Sequence, residues 1–184
     1  MLSIGIVAAT QPPLEFYAEV SDAQRVSAAG AFAREAVLPQ FGKRPGAACT
    51  YAELGRRLVD YLSKLTSLCA RGEVIAVVFE SDRDWTLVQR AIVDAAVPAS
   101  PRIVARLRPV NEYNMPGFAA GTVAAADYFA SQQGTALSRH HALCDARALQ
   151  IAYRAANAAH AADASHAEPT DPPALNRLTQ ISAG

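Results

Sequence analysis

His140 and Asp145 stand five residues apart at the mouth of a long Ala-rich segment. An imidazole close to a carboxylate can move a proton or help hold a cation. The segment reads as a helix, because positions 142, 145, 146, 149, 152, 153 and 156 share one face at helical spacing. Those residues are Ala142, Asp145, Ala146, Leu149, Ala152, Tyr153 and Ala156, and Asp145 is the charged one among them. Arg147, Gln150, Arg154 and Asn157 fall on the opposite, solvated face. A carboxylate on a buried stripe is costly unless a cation or metal ion compensates it.

A second acid has the same placement. Asp84 heads a stripe continued by Leu87, Val88, Ala91, Ile92 and Ala95, just after the apolar run Val74–Phe79. Asp82 competes with it but stands where a helix N-cap belongs. Either acid alone has an ordinary reading, since carboxylates in a first helical turn suit the helix dipole. The repeated placement and the histidine make Asp84, Asp145 and His140 a candidate site. His141 is expected to begin the helix. A zinc site at His140, His141 and Cys144 lacks a fourth ligand.

The elements that must position these groups follow from pattern. Leu2–Ala8 reads as a buried strand, and Thr10–Pro13 as a turn. Leu14, Phe16, Ala18 and Val20 alternate with Glu15, Tyr17 and Glu19, which predicts a half-buried antiparallel strand with both acids outward. A short helix is expected near 29–37. Thr50-Tyr51-Ala52-Glu53 is a capping box that opens a helix ending at Gly72. The run Val74–Phe79 suits a strand buried on both faces. Helices over 84–95, 121–132 and 141 to about 160, a strand over 102–107 and a loop over 108–119 complete the pattern. This order indicates an α/β domain with a mixed sheet. The domain is placed at 1–160, and 161–184, poor in large apolar residues, is expected to be a flexible tail.

The chain has 184 residues and is 51% hydrophobic, enough for one cored domain. Lys and Arg number 17 and so do Asp and Glu, which argues against a strongly basic polymer-binding surface overall. Arg102, Arg106 and Arg108 form a local basic patch, and Tyr113 and Phe118 are aromatic residues that could stack on bases. Three cysteines, Cys49, Cys69 and Cys144, show no metal spacing and suit reduced thiols in a cytoplasmic protein. The apolar start lacks the positive charge and length of a signal peptide, and no run is long enough to span a membrane.

The His140-x4-Asp145 pattern, with Asp84-Trp85-Thr86-Leu87-Val88 at a strand-to-helix junction, resembles the last and middle motifs of the DEDDh 3′-5′ exonucleases. That group, which includes oligoribonuclease and RNase T, is RNase H-like. The resemblance covers about residues 2–155 and implies an RNase H-like mixed sheet flanked by helices. It implies a metal-dependent exoribonuclease with two Mg²⁺ or Mn²⁺ ions, a single-stranded 3′ end of RNA as substrate, and a homodimer. In it Asp84 and Asp145 bind metal and His140 is the general base. The family also carries an Asp-x-Glu pair on a strand ahead of the hairpin, and no such strand occurs here. Two explanations follow: the first strand lies upstream of Met1, which is the favoured expectation, or the chain is a truncated, inactive derivative. A non-catalytic nucleic-acid-binding or interaction module is the alternative expectation.

Overall fold

The computed structural model describes residues 1–166. The chain is a mixed α/β domain. β1 (Ser3–Ala8) and β2 (Leu14–Val20) form the expected antiparallel hairpin, in register from Ser3 opposite Glu19 to Ala8 opposite Leu14. A short helix α1 (Ala23–Ser27), a π-helical turn over Ala33–Val37 and a 3-10 turn over Leu38–Gln40 follow. The two-residue β3 (Ala48–Cys49) pairs parallel with β2. α2 (Tyr51–Leu68) begins as its capping box predicts, with Thr50 Oγ1 accepting from the Glu53 N–H at 3.2 Å.

β4 (Ile75–Phe79), α3 (Asp82–Asp94) and α4 (Ser100–Val104) lead to β5 (Leu107–Asn111), which pairs parallel with β4. Residues 102–107, expected as a strand, are mostly α4 and its turn. The strand starts at Leu107, the last residue expected in it, and runs on through Asn111 into the stretch read as a loop. Pro101 at the start of α4 favours the helix, because its fixed φ suits a first helical turn and its missing N–H is not needed there. α5 (Phe118–Ser131) and α6 (Ala142–His166) close the domain. α6 runs six residues beyond the expected end at 160, into the stretch read as a tail; residues 167–184 lie outside the described part.

Among the described residues five strands form two sheets, ordered β1-β2-β3 and β4-β5, rather than one. Helices cover the hairpin on both faces, because successive strand residues point to opposite sides. Ile4 packs into an apolar cluster with Leu54, Leu58, Leu62 and Leu65 of α2 and Ile92 of α3. Its neighbour Gly5 faces the other way, against the start of α6. A Cβ on Gly5 would lie 2.2 Å from the Ala142 carbonyl oxygen, so that approach requires glycine. α5 lies along α6, and Gly117, at φ 75°, starts α5 against the Ala156 backbone.

Glu19 departs from the outward alternation expected of it. It is 2% exposed, because α6 and the 38–42 turn cover the face that an open hairpin would leave wet. Its carboxylate accepts hydrogen bonds from the Tyr17 hydroxyl at 2.7 Å and the Gly42 N–H at 2.9 Å. Glu15 stays near the surface and takes a two-pronged ion pair from Arg147, at 2.7 and 2.9 Å, which ties the hairpin to α6. The Arg147 guanidinium holds the Glu15 carboxyl below its ordinary range.

Candidate functional site

The first acidic position is built by the end of β4. A strand must leave its sheet before a helix can start, and Ser81 marks that turn. Its hydroxyl accepts from the Arg83 N–H at 3.2 Å, so Ser81 caps α3 and Asp82, expected as the cap, occupies the first turn instead. The Asp82 carboxylate accepts from the Asn111 amide at 3.1 Å and ties the α3 start to the end of β5. Asp84 lies in the same first turn and stands at the surface. Loss of hydration on its protein side pushes its carboxyl up, against a backbone hydrogen bond at Ser81 and the charge of Arg83.

The second position is the head of α6. His141 begins the helix as expected: its carbonyl accepts from the Asp145 N–H at 3.0 Å and its Nδ1 from the Leu143 N–H at 3.3 Å. The ring is 1% exposed and stacks on Tyr17 at 4.3 Å between centroids, and burial lowers its pKa. With Nδ1 accepting, the proton belongs on Nε2, which finds no partner. His140 takes a left-handed φ of 72°, which turns its backbone N–H onto Asp145 Oδ1 at 3.1 Å. Its ring instead meets the exposed Phe32 edge-on at 5.2 Å.

Asp145 is half-buried, and its carboxyl is pushed up to about 6. Desolvation is the main cause. The His140 N–H and the charges of His140 and Arg139 pull it down, while the charge of Glu80 raises it further. The fold thus brings His140, Asp145 and Glu80 into one neighbourhood. Asp84 stands in the first turn of α3, and the charge that acts on it is Arg83.

Glu80 was not singled out in the sequence. It follows the last residue of β4, is exposed, and raises the carboxyls of both Asp145 and Glu112. Its signal was its position as the first polar residue after an apolar strand, where α/β sheets place their ligand-facing groups. Arg106 has a structural task instead. Its guanidinium donates to the carbonyls of Thr66, Ala70 and Glu73 at the end of α2, at 2.7 to 3.1 Å. Tyr113 is 56% exposed and packs on Phe118 at 4.9 Å, beside Glu80 and Glu112.

The charge of Glu80 acts on Asp145 and on Glu112, and His140 stands beside Asp145. Among the described residues no three His, Cys, Asp or Glu side chains are grouped to hold a metal ion. Mg²⁺ takes near-octahedral oxygen coordination, so the carboxylates present fall short of a complete ligand set. The three cysteines are free thiols, and burial pushes Cys49 and Cys144 up. No helix of the described residues is long and apolar enough to cross a membrane. No protein-family model, curated protein or solved structure matches the chain.

Proposed function

We propose that the chain carries part of the active site of a metal-dependent 3′-5′ exoribonuclease with an RNase H-like fold. The observation that carries this reading is the head of α6. There a half-buried carboxylate, without an ion-pair partner among the described residues, lies against the histidine five residues before it and feels a second acid from the end of β4. Such a group gains from a nearby cation, which would return the Asp145 carboxyl to its ionised form.

In this reading Asp145 and Asp84 would contribute to holding Mg²⁺ or Mn²⁺. The ion, when bound, neutralises charge on the scissile phosphate and acidifies the attacking water. His140 stands beside Asp145, and its ring must turn from Phe32 to accept the proton of that water. The exposed Tyr113 offers a face on which a base can stack. The substrate is a single-stranded 3′ end, with RNA as the proposed class.

The test is a 5′-labelled oligoribonucleotide incubated with the protein and Mn²⁺. Progressive shortening with the label retained supports the proposal. Intact substrate refutes activity in this chain, and early release of the label as a mononucleotide refutes the direction.

The incomplete ligand set favours a second reading, a nucleic-acid-binding or interaction module without catalysis. It predicts oligonucleotide binding that persists in EDTA with no product formed.

A further inference from the structure

Arg34, Arg44, Arg57, Arg106 and Arg147 direct their guanidinium groups at carbonyls or carboxylates of the fold. Arg25 and Arg83 do not. Both are exposed, and neither makes an ion pair among the described residues. Arg90 reaches Asp94 through Nε at 3.5 Å, but its side chain stays 74% exposed. Its remaining N–H donors are left to solvent or to a ligand.

These three arginines share one surface. Arg83 and Arg90 are seven residues apart on α3, so they lie on one face of it, about 10 Å from each other along the axis. Arg25 joins them from α1, with its guanidinium 3.8 Å over the Tyr51 ring. The Tyr51 hydroxyl donates to Asp94 Oδ2 at 3.2 Å, the same oxygen that meets Arg90. Contact therefore runs from Arg25 through Tyr51 and Asp94 to Arg90. The Met1 amino group feels the result: burial, and then the charges of Arg25, Arg83 and Arg90, lower its pKa. Acids close to the row are engaged elsewhere. Asp22 accepts from the Tyr51 N–H at 2.6 Å, and Asp82 from the Asn111 amide at 3.1 Å. At its Arg83 end the row adjoins Asp84, on which the Arg83 charge acts.

We infer that Arg25, Arg90 and Arg83 form a track for the phosphate backbone of a single-stranded nucleic acid and direct its end to Asp84. A row of separate guanidinium groups suits a ligand with repeated negative charges, whereas a single anion is held by groups that converge on it. Arg25, seated on Tyr51, also presents the outer plane of its guanidinium, a surface on which bases stack. The chain as a whole offers a polyanion no attraction, because its 17 basic residues are balanced by 17 acidic ones. Binding must then come from a local row of this kind. The inference rests on the nucleic-acid readings above for the class of ligand, and adds the surface that holds it.

The experiment follows the fluorescence anisotropy of a 5′-labelled oligouridylate of about 12 nucleotides, a length within the usual site sizes for single strands. EDTA is present so that nothing is cleaved, and the titration is repeated over a series of salt concentrations. The triple variant Arg25→Gln/Arg83→Gln/Arg90→Gln is expected to bind about tenfold more weakly or worse, with the slope of log affinity on log salt reduced by about 2, near 0.7 for each lost contact. Arg102→Gln/Arg108→Gln/Arg154→Gln makes the same change of net charge at exposed positions elsewhere and is expected to keep its affinity within about twofold. Equal weakening by both triple variants overturns the track, because net charge then governs binding. Full binding by the first variant overturns the track and leaves the nucleic-acid readings standing. No binding by the unaltered protein overturns all of them, and its sedimentation with phosphatidylserine vesicles would then assign the row to a membrane surface. Should the first variant fail to fold, Arg83→Gln/Arg90→Gln, which keeps Arg25 on Tyr51, replaces it. A slope reduced by about 1.4 then supports the track, and an unchanged slope overturns it.

Discussion

Asp145 shows how one side chain can cost stability while awaiting a partner. Its carboxyl titrates near 6 in the folded chain against 3.8 for an unperturbed aspartate. Between those values the folded state binds the extra proton. The group's contribution to stability is therefore full below about pH 4 and is lost as pH rises through about 6. A shift of that size corresponds to roughly 2–3 kcal/mol once ionisation is complete. Asp145→Asn keeps an acceptor for the His140 N–H and removes the charge. It is expected to stabilise the protein by about 1–2 kcal/mol at pH 7.5, and by about a third as much at pH 4.5. Urea unfolding of both proteins at the two pH values checks this, and an equal effect at both would remove the desolvated carboxylate from the argument. Asp145 was legible in the sequence because a lone charge on an apolar stripe is conspicuous. Glu19 was not, because regular alternation along β2 gives no hint that α6 and a turn will cover its outer face.

At the scale of elements, α6 is the part on which the site depends. Its head carries His140, His141 and Asp145, and three contacts set its place: the ion pair of Arg147 with Glu15, the stacking of His141 on Tyr17, and the backbone contact at Gly5. The last tolerates least. Gly5→Ala drives a Cβ into the Ala142 carbonyl, so either β1 or the first turn of α6 must move. The expected cost is about 1–3 kcal/mol, typical of overpacking. The expected signature is local: a larger chemical-shift change at His140 and Asp145 than at Leu58 in α2. Uniform changes over the whole chain would mean that Gly5 does not govern the helix head. The amphipathic helices α2 and α3 were readable because their periods are strong, and β4 because it is an unbroken apolar run. β5 was hidden because Leu107-Arg108-Pro109 carries the charge and proline of an edge strand, the same features that make a sequence look like a loop.

At the scale of the molecule, the split of the strands into two sheets governs behaviour in solution. Sequence pattern gave strands of the right length and apolar character, but it cannot show which edges will meet. The expected single sheet fails between β1 and β4, which do not pair with each other. Bare apolar edges template intermolecular pairing, and a single charge on an edge suppresses it. Ala76 is the suitable position, being exposed in mid-strand with little packing to lose. Ala76→Lys is expected to slow self-association several-fold at high protein concentration while changing folding stability by no more than about 0.5 kcal/mol. Val123→Lys supplies the comparison. Val123 is 62% exposed on α5, so this change removes more apolar surface and adds the same charge without touching a sheet edge. Light scattering over time should separate the two. If both substitutions slow association equally, net charge or general surface apolarity is responsible. If Ala76→Lys alone does so, the molecule associates through the unpaired backbone of β4.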